Sequence, residues 1–316
     1  MQTTTNPQLG LLDALMASVP SNKLLERLNN LLDWEPIEVA LWSMYPAKTG
    51  RPPHPPLVLF KMCLLQHCYN LSDPQCEELL CDRISWRKFC GLGLQDPVPD
   101  ETTLVRFRQR LMEHGLHETL LELINKQLEA QGVILKTCTL VDATLVQAAR
   151  RPPSKPSEEG GDPDASFTVK GGRPHYGYKA HVAVDQTHTM IRRVRLTGAH
   201  VHDSQEFKEL VQGDEQMVVA DKAYWSREHC EWCAEHGVAN GIMERGRRGH
   251  KLRAGVRAWN LVLGRLRARV EGVFGWMKQW AGYRRGRYQG LDPNRLELEF
   301  KSICWNLIRL VKVAAA

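Results

Sequence analysis

The sequence lacks the features that would point to a membrane or to secretion. No run approaches the roughly 18 consecutive apolar residues that a membrane-spanning helix needs. The N-terminus has no basic start followed by an apolar stretch of signal-peptide length. Nine cysteines are present, but without a secretory signal they do not indicate a disulfide framework. We therefore expect a soluble intracellular protein whose thiols are free in a reducing cytoplasm.

A second close pair of zinc ligands is also missing. Cys230 and Cys233 form a CxxC motif flanked by His229 and His236. A structural zinc site needs four converging ligands, usually with a second CxxC or HxxxH pair, and the sequence has neither. Because residues 226–236 have the pattern of a helix, we favour thiols without a metal and keep zinc as the alternative.

Carboxylates are scarce in one long segment of the chain. The 316 residues are 43% apolar and 25% charged, which suits one large or two ordinary globular domains, and the net charge of +6 modestly favours a polyanionic partner. Between Arg245 and Gly290 there are 13 lysines and arginines, whereas Glu271 is the only carboxylate. A strip this cationic indicates binding to nucleic-acid phosphates, with a solvated basic face as the alternative.

Residues 1–133 have the pattern of helices almost throughout. Residues 57–69 are apolar nearly all round and follow Pro55 and Pro56, as in a buried helix that starts at proline. Three short helical segments come next, and either Asp100 or Thr102 can cap the third. That helix carries Arg106, with two further arginines nearby. A DNA-binding helix-turn-helix and a plain helical bundle with a solvated arginine face both fit this pattern.

The pattern changes after residue 133 to strands alternating with helices, which predicts a mixed α/β layout. Strands are predicted at KTCTLVDATL, HYGYKAHVAVD, MIRRVRLTG, MVVAD and VANGIMER, and a long helix is predicted from about Arg257. Residues 150–174 are rich in Pro, Gly and Ser and predict a mobile loop. Asp203 to Glu206 resembles a capping box that opens a short helix.

Three carboxylates have the pattern of a metal site. Asp142 and Asp221 each follow a short apolar run that predicts a strand, and Glu271 lies on the long helix after them. Carboxylates at strand ends project into the crevice where α/β enzymes place their chemistry. An all-oxygen set of this kind suits magnesium. Each residue alone has a simpler explanation, as a cap for the aspartates or as a helix ion pair of Glu271 with Arg267.

The long helix is predicted to be amphipathic. Its apolar positions follow a period of 3.6 and predict a buried face made of Trp259, Val262, Leu263, Leu266, Val270, Val273, Phe274 and Met277. Beside that face lies a stripe with Arg267, Glu271 and Lys278, which fall within a narrow arc of the helix.

The chain resembles bacterial insertion-sequence transposases of the DDE class, most closely the insertion-sequence-five group. The matching segments are VPDETTLVRFRQRL, VDATLVQAARRPPS, GYKAHVAVD, GAHVHDS, VVADKAY and RLRARVEGVFGWMK, which together cover roughly residues 50–310. The last segment carries Arg267, Glu271 and Lys278 with the spacing of the group's signature. Gly264 stands where related transposases often have tyrosine.

The resemblance implies an α/β (α+β) fold, in which a helical N-terminal region (1–133) for DNA binding and dimerisation precedes an RNase H-like mixed-sheet catalytic core (134–316). Asp142, Asp221 and Glu271 would be its metal-binding catalytic triad. It would use two Mg²⁺ ions, for which Mn²⁺ can substitute. Expected DNA contacts, from the resemblance and from the basic segments together, are Arg267, Lys278, Lys179, His181, Lys251, Arg253 and Arg106.

The function implied is that of a transposase that binds terminal inverted repeats and catalyses DNA strand cleavage and strand transfer to target DNA. A homodimer is expected because two transposon ends must be cut and joined together. The expected location is the bacterial cytoplasm, at the nucleoid. Two other functions fit the same residues: a nuclease that does not transpose, and a DNA-binding regulator with an inactive core.

Overall fold

The computed structural model describes residues 22–46, 53–152, 160–246 and 251–315. The chain divides into two compact units, Met1–Gln127 with Ala314–Ala316 and Leu128–Val313. The helices of the first unit are α1 Lys23–Leu31, α2 Glu35–Trp42, α3 Pro56–Cys68, α4 Asp73–Asp82, α5 Ile84–Cys90 and α6 Glu101–Glu113, and α7 Leu116–Ala130 begins in it. The predicted helical character is confirmed for the part of residues 1–133 that the structure describes.

Helix α3 is the centre of the first unit. It begins at Pro56, where the missing N–H of proline costs no helical hydrogen bond, and nearly all of its side chains are buried. Helices α2, α4, α5 and α6 pack against it. The buried helix predicted after Pro55 is therefore confirmed.

Helix α6 presents two kinds of arginine. Asp100 caps it by accepting a hydrogen bond from the Thr103 N–H at 2.7 Å. Arg108 is only 5% exposed and forms a two-pronged ion pair with Asp73, at 2.7 and 2.8 Å. Arg106 is exposed. Of the arginines on this helix, Arg108 thus stabilises the bundle, whereas Arg106 is free to meet a ligand.

The second unit is built on one sheet. Its strands are β1 Thr139–Gln147, β2 Ser166–Lys170, β3 Arg173–Asp185, β4 Ile191–Gly198, β5 Met217–Ala220 and β6 Ala239–Ile242. Its helices are α8 Phe207–Leu210, α9 Arg227–Glu235, α10 Ala254–Gln279 and α11 Leu291–Val313. Two 3-10 turns, at Asp203–Glu206 and Lys222–Tyr224, stand before α8 and after β5.

The core strands lie in the order β4-β3-β1-β5-β6. Strands β1, β3 and β4 pair antiparallel, whereas β1 pairs parallel with β5 and β5 with β6. This is the strand order and direction of an RNase H-like fold. The predicted fold class, a helical N-terminal region followed by an RNase H-like mixed sheet, is confirmed.

Two local predictions about the strands were wrong. The strand predicted to reach Leu145 was expected to carry Asp142 near its end, but Asp142 lies in the middle of β1, which continues to Gln147 because β3 pairs with it over its whole length. The predicted loop of residues 150–174 contains β2, which forms a hairpin with β3 through Gly171 and Gly172. Both glycines have positive φ, 59° and 77°, which glycine adopts without strain. Residues 153–159 of that loop lie outside the described part of the chain.

The predicted buried face of the long helix is only half right. Leu263, Val270, Val273 and Met277 are buried. Near the start of α10, however, Trp259 and Val262 are 49% and 44% exposed. Within the second unit, α10 packs against β1 and β5. The 3.6 period of the sequence therefore extends beyond the part of the helix that the sheet covers.

Helix α11 contributes buried charge to the second unit. Lys301 Nζ lies 3.2 Å from Glu297 Oε1, and both side chains are at most 3% exposed. Lys301 also donates to Ala281 O at 2.5 Å, and Glu297 accepts from the Arg287 N–H at 3.0 Å. The pair thus holds the segment that joins α10 to α11 by two of its backbone groups.

We predict that Lys301→Met lowers the free energy of unfolding by about 3–5 kcal/mol, because the Glu297 carboxylate stays buried without its cation. Urea unfolding followed by circular dichroism measures this change. The double variant Glu297→Gln, Lys301→Met removes both charges and should recover much of the loss. A double variant less stable than the single one would contradict this role of the pair.

Candidate active site

Asp142 and Asp221 lie side by side because of the parallel pairing of their strands. Val141 of β1 is in register with Ala220 of β5, so the two aspartates occupy the next position on neighbouring strands. Neighbouring strands are about 4.8 Å apart, and equivalent positions point to the same face of a sheet. Asp221 follows the last residue of β5 and caps the turn after it, accepting from the Lys222 N–H at 2.7 Å.

The carboxylate of Asp142 accepts two hydrogen bonds, and opposing effects act on its pKa. Arg267 of α10 donates to Oδ2 at 2.5 Å, and the Ala143 N–H donates to Oδ1 at 2.9 Å. Burial raises the pKa of Asp142; Arg267 and the Ala143 N–H oppose that rise, whereas the charge of Asp221 adds to it. In the metal-free protein, two like charges therefore face each other, and an arginine partly offsets them.

Glu271 stands outside this group. It is exposed on α10, four residues after Arg267 and therefore on the same face of the helix. Among the residues that the structure describes, the carboxylate oxygens of Asp142, Asp221 and Glu271 do not form a set within 4.8 Å of one another. The ion pair of Arg267 is made with Asp142, which does not support the alternative of a helix pair with Glu271.

A second layer of polar side chains lies beside the aspartates. Lys179 Nζ pairs with Asp203 Oδ1 at 2.8 Å and donates to Val201 O at 2.6 Å. Asp203 does not cap the following 3-10 turn as predicted, since the His202 side chain accepts the Ser204 N–H there. Sequence reasoning missed the ion pair because Lys179 and Asp203 are on separate elements, β3 and the 3-10 turn.

The prediction that His181 contacts DNA has to be corrected. Its side chain has no exposed surface, and Nε2 lies 3.0 Å from Thr197 Oγ1 on the neighbouring strand β4. Burial lowers its pKa to about 4, with Lys179 and Arg195 adding to the decrease and Asp203 opposing it. A neutral, enclosed imidazole does not reach a phosphate, so His181 belongs to the packing behind the site.

A cavity of about 310 Å³ opens beside the C-terminal end of β1. Its lining includes Lys170 of β2, Lys278 of α10 and Arg284, and it contains no carboxylate. Burial lowers the pKa of Lys278, and the charges of Lys170 and Arg284 add to that effect. The concentration of positive charge suits an anion. Lys170 was not predicted, and Arg284 was predicted only as one cation of the basic strip, because the β2–β3 hairpin and the turn after α10 are what bring the two side chains to the cavity.

The turn after α10 is fixed to the end of β1. The Gln147 N–H donates to Arg284 O at 3.0 Å, and the Gly286 N–H donates to Gln147 O at 2.8 Å. Arg285 donates from Nε to Ala148 O at 3.0 Å. These bonds place Arg284 at the cavity and use Arg285 for structure, so the basic strip does not act as one uniform phosphate-binding surface.

The other predicted DNA contacts are exposed. Lys251 and Arg253 lie just before α10, whereas Arg247 and Arg248 of the same strip lie outside the described residues. In the first unit, Arg106 lines a cavity of about 510 Å³.

The side chains of the candidate zinc motif are buried or contact other groups of the protein. Cys233 is buried, and Cys230 Sγ accepts from Asn240 Nδ2 at 3.1 Å. His229 Nδ1 lies 2.7 Å from Tyr224 O, and the ring of His236 stacks on Trp232 with its centroid 4.0 Å away. Within the described residues these four side chains form no metal-binding group.

No described helix is long and apolar enough to cross a membrane.

Residues 135–307 match the family model described as "Transposase DDE domain", and residues 13–110 match the one described as "Transposase domain (DUF772)". The first match spans more than half of the chain, and the chain therefore belongs to the transposase DDE domain family. It is a transposase, a metal-dependent polynucleotidyl transferase of DNA transposition. The predicted class is confirmed.

Two solved structures are similar along most of the chain. They are described as "Crystal structure of a pre-cleavage Mos1 transpososome" and "Crystal structure of the Mos1 mariner paired end complex with Mn". The identities are 11% and 12%, over 97% of this chain and 90% and 92% of those chains. With TM-scores of 0.20 and 0.19, they support no argument about this protein.

We predict that Lys278→Met leaves the stability unchanged or slightly raised, because it removes a half-buried cation beside two others. DNA binding should weaken, and the slope of log K against log salt should decrease in magnitude by about 0.9, as for one lost phosphate contact. Lys312→Met, an exposed lysine at the end of α11, should change neither. A destabilised Lys278→Met protein with an unchanged slope would make Lys278 a structural residue.

Proposed function

We propose that Asp142, Asp221 and Glu271 are the catalytic carboxylates and that together they hold two Mg²⁺ ions, for which Mn²⁺ can substitute. The observation that carries this proposal is the β1–β5 register, which sets two aspartates next to each other on one face. Their donor atoms are hard oxygens, as Mg²⁺ prefers. Glu271 completes the set when its side chain, one helical turn from Arg267, turns toward the aspartates.

The reaction proposed is in-line attack on DNA phosphodiesters, first by water at the transposon end and then by the freed 3′-hydroxyl on target DNA. Bound divalent ions supply activation of the nucleophile and stabilisation of the leaving oxygen. Asp142 and Asp221 hold their carboxylates at fixed points of a rigid sheet. Arg267 exchanges Asp142 for a phosphate oxygen, and Lys278 neutralises a phosphate in the adjacent cavity.

The remaining DNA contacts follow the exposed basic residues. Lys251 and Arg253 bind the phosphate backbone, and Lys179, which pairs with Asp203 beside the site, is a further DNA contact. Arg106 lies on a helix that reads the terminal inverted repeat. Binding of two transposon ends calls for a homodimer. We assign the chain to the insertion-sequence-five group and place its action at the bacterial nucleoid.

The N-terminal and C-terminal regions of the chain have different proposed roles. Residues 1–133 form the helical DNA-binding and dimerisation region, and residues 134–316 form the catalytic domain. The exposed Arg106 supports the first assignment, and the grouping of Asp142, Asp221 and Arg267 supports the second.

We predict that Glu271→Gln folds and binds transposon ends but loses strand cleavage by orders of magnitude, because a neutral amide is a poor ligand for Mg²⁺. End binding and cleavage are measured on the same preparation, with Mg²⁺ and again with Mn²⁺. Glu235→Gln, an exposed glutamate at the end of α9, should keep both. Near-normal cleavage by Glu271→Gln would refute the triad. Cleavage without strand transfer in the wild type would favour a nuclease.

We predict that Arg106→Ala and the double variant Lys251→Ala, Arg253→Ala weaken DNA binding in different ways. The double variant should weaken binding to random and repeat DNA equally. Its slope of log K against log salt should be less steep by the amount expected for about two lost phosphate contacts. Loss of Arg106 should selectively reduce the preference for the terminal repeat. Fluorescence anisotropy on both DNAs at several salt concentrations measures these effects. An equal loss on both DNAs after Arg106→Ala would limit Arg106 to a phosphate contact.

A further inference from the structure

The β2–β3 hairpin extends beyond the rest of the sheet. The pairing of β1 with β3 stops at Gly177, and the pairing of β3 with β4 begins at Tyr178. Among the described strands, residues 173–176 of β3 therefore pair with β2 alone. Residues 166–177 contain no aspartate or glutamate. The hairpin is thus a two-stranded ribbon without negative side chains that projects from the sheet.

The conformation of the hairpin is fixed at its base and at its tip. At the base, the Tyr176 hydroxyl donates to Asp162 O at 2.8 Å, and Ser166 Oγ accepts from the His200 N–H at 3.0 Å. At the tip, residues 171–172 are two glycines with positive φ, as in the tight turns that match the twist of paired strands. A ligand therefore meets a ribbon that is already ordered.

One face of the hairpin carries polar and cationic side chains. Cross-strand partners share a face, and Thr168 lies opposite His175 just as Lys170 lies opposite Arg173. Lys170 lines both the cavity of about 310 Å³ and a second cavity of about 220 Å³, so the two cavities adjoin at this residue. The first cavity has no carboxylate in its lining. This face therefore presents the charge of Lys170 to an anion.

The other face of the hairpin is apolar and exposed. Phe167 lies opposite Tyr176, and Val169 lies opposite Pro174. Phe167 and Val169 are 58% and 72% exposed, although the ring centroid of Phe167 is only 4.9 Å from that of Tyr176. An exposed apolar strand at the edge of a sheet invites association with a partner. These two side chains are therefore suited to contact a second molecule.

Duplex DNA is the partner that both faces fit. The major groove is about 12 Å wide and admits a two-stranded ribbon. Phosphates border the groove and complement Lys170, whereas the base edges inside it include the thymine methyl group, an apolar contact for Phe167 and Val169. A second copy of the hairpin would bring no negative charge to these cations, since residues 166–177 have none.

We propose that the β2–β3 hairpin enters the major groove of the DNA that the transposase binds, with Lys170 on a phosphate and Phe167 and Val169 against base edges. This inference rests on the proposed binding of DNA, but it does not depend on the three carboxylates as metal ligands. It gives a binding role to a segment for which the sequence predicts only a loop.

The first test separates phosphate contacts from base contacts by their salt dependence. Binding of the full-length protein to a fluorescein-labelled duplex of mixed sequence is measured by fluorescence anisotropy in EDTA at several salt concentrations. Lys170→Met should reduce the slope of log K against log salt in magnitude by about 0.9, as for one lost phosphate contact, whereas Lys170→Arg should keep it. The double variant Phe167→Ser, Val169→Ser should bind about tenfold more weakly with an unchanged slope, since it loses apolar surface but no charge.

The second test replaces every thymine of the duplex by uracil, which removes the methyl groups from the major groove and leaves the phosphates unchanged. The wild type should bind the uracil duplex more weakly than the thymine duplex, and the double variant should lose most of this difference. Val39→Ser, which changes a valine of α2 that is 65% exposed, should behave as the wild type. Thermal unfolding checks each variant, and Lys170→Met keeps the test decisive if the serine variant unfolds.

Three outcomes would overturn the inference. If Lys170→Met and the double variant both bind DNA as the wild type does, the hairpin has no such role, and DNA binding through other residues stands. If the double variant keeps the uracil sensitivity of the wild type but forms smaller oligomers in sedimentation, the apolar face joins two copies of the chain and does not enter DNA. A wild type that binds no DNA refutes the proposed function together with this inference.

Discussion

The parallel pairing of β1 with β5 is the constraint on which the site depends. Register alone puts Asp142 beside Asp221, because each follows one member of the Val141–Ala220 pair. The pairing strands are buried, so a one-residue slip would move every side chain of β5 to the opposite face. The energy of the core therefore enforces an arrangement of two carboxylates that is electrostatically unfavourable by itself.

Like charges also come together in a second cluster, whose charge is opposite in sign to that of the aspartates. The aspartates gather negative charge on one part of the sheet, whereas Lys170, Lys278 and Arg284 gather positive charge around the cavity beside β1. Each cluster is unfavourable in the metal-free protein, and in the proposed site it favours binding of its complement, a divalent cation or a phosphodiester. Stability given up at a binding site in this way is common in enzymes. The ion pair of Arg267 with Asp142 offsets part of the loss until a ligand takes its place.

The sequence predicted the features that depend on neighbouring residues better than the features that depend on contacts between distant parts of the chain. The proline start of α3 and the order of the strands were predictable, since caps and hydrophobic period are local. The position of Asp142 in the middle of β1, and not near its end, was not predictable, because it depends on how far β3 pairs with β1. The period of α10 predicted burial of Trp259, although about half of its surface, 49%, is exposed. The Lys179–Asp203 pair joins separate elements, which no local pattern reports.

Buried polar groups of α11 hold the segment that carries Arg284 to the cavity. The charge of Arg284 is unfavourable beside Lys278, and the turn that carries Arg284 is held by the buried Ala281 and Tyr283 and by polar bonds. Buried polar groups are favourable only when their bonds are satisfied, and here Lys301 binds Ala281 O while Glu297 binds the Arg287 N–H. An apolar helix in the same place would pack as well but would leave those backbone groups without partners. The buried charges of α11 therefore support the turn that carries Arg284 to the cavity, although they lie outside the lining of the cavity.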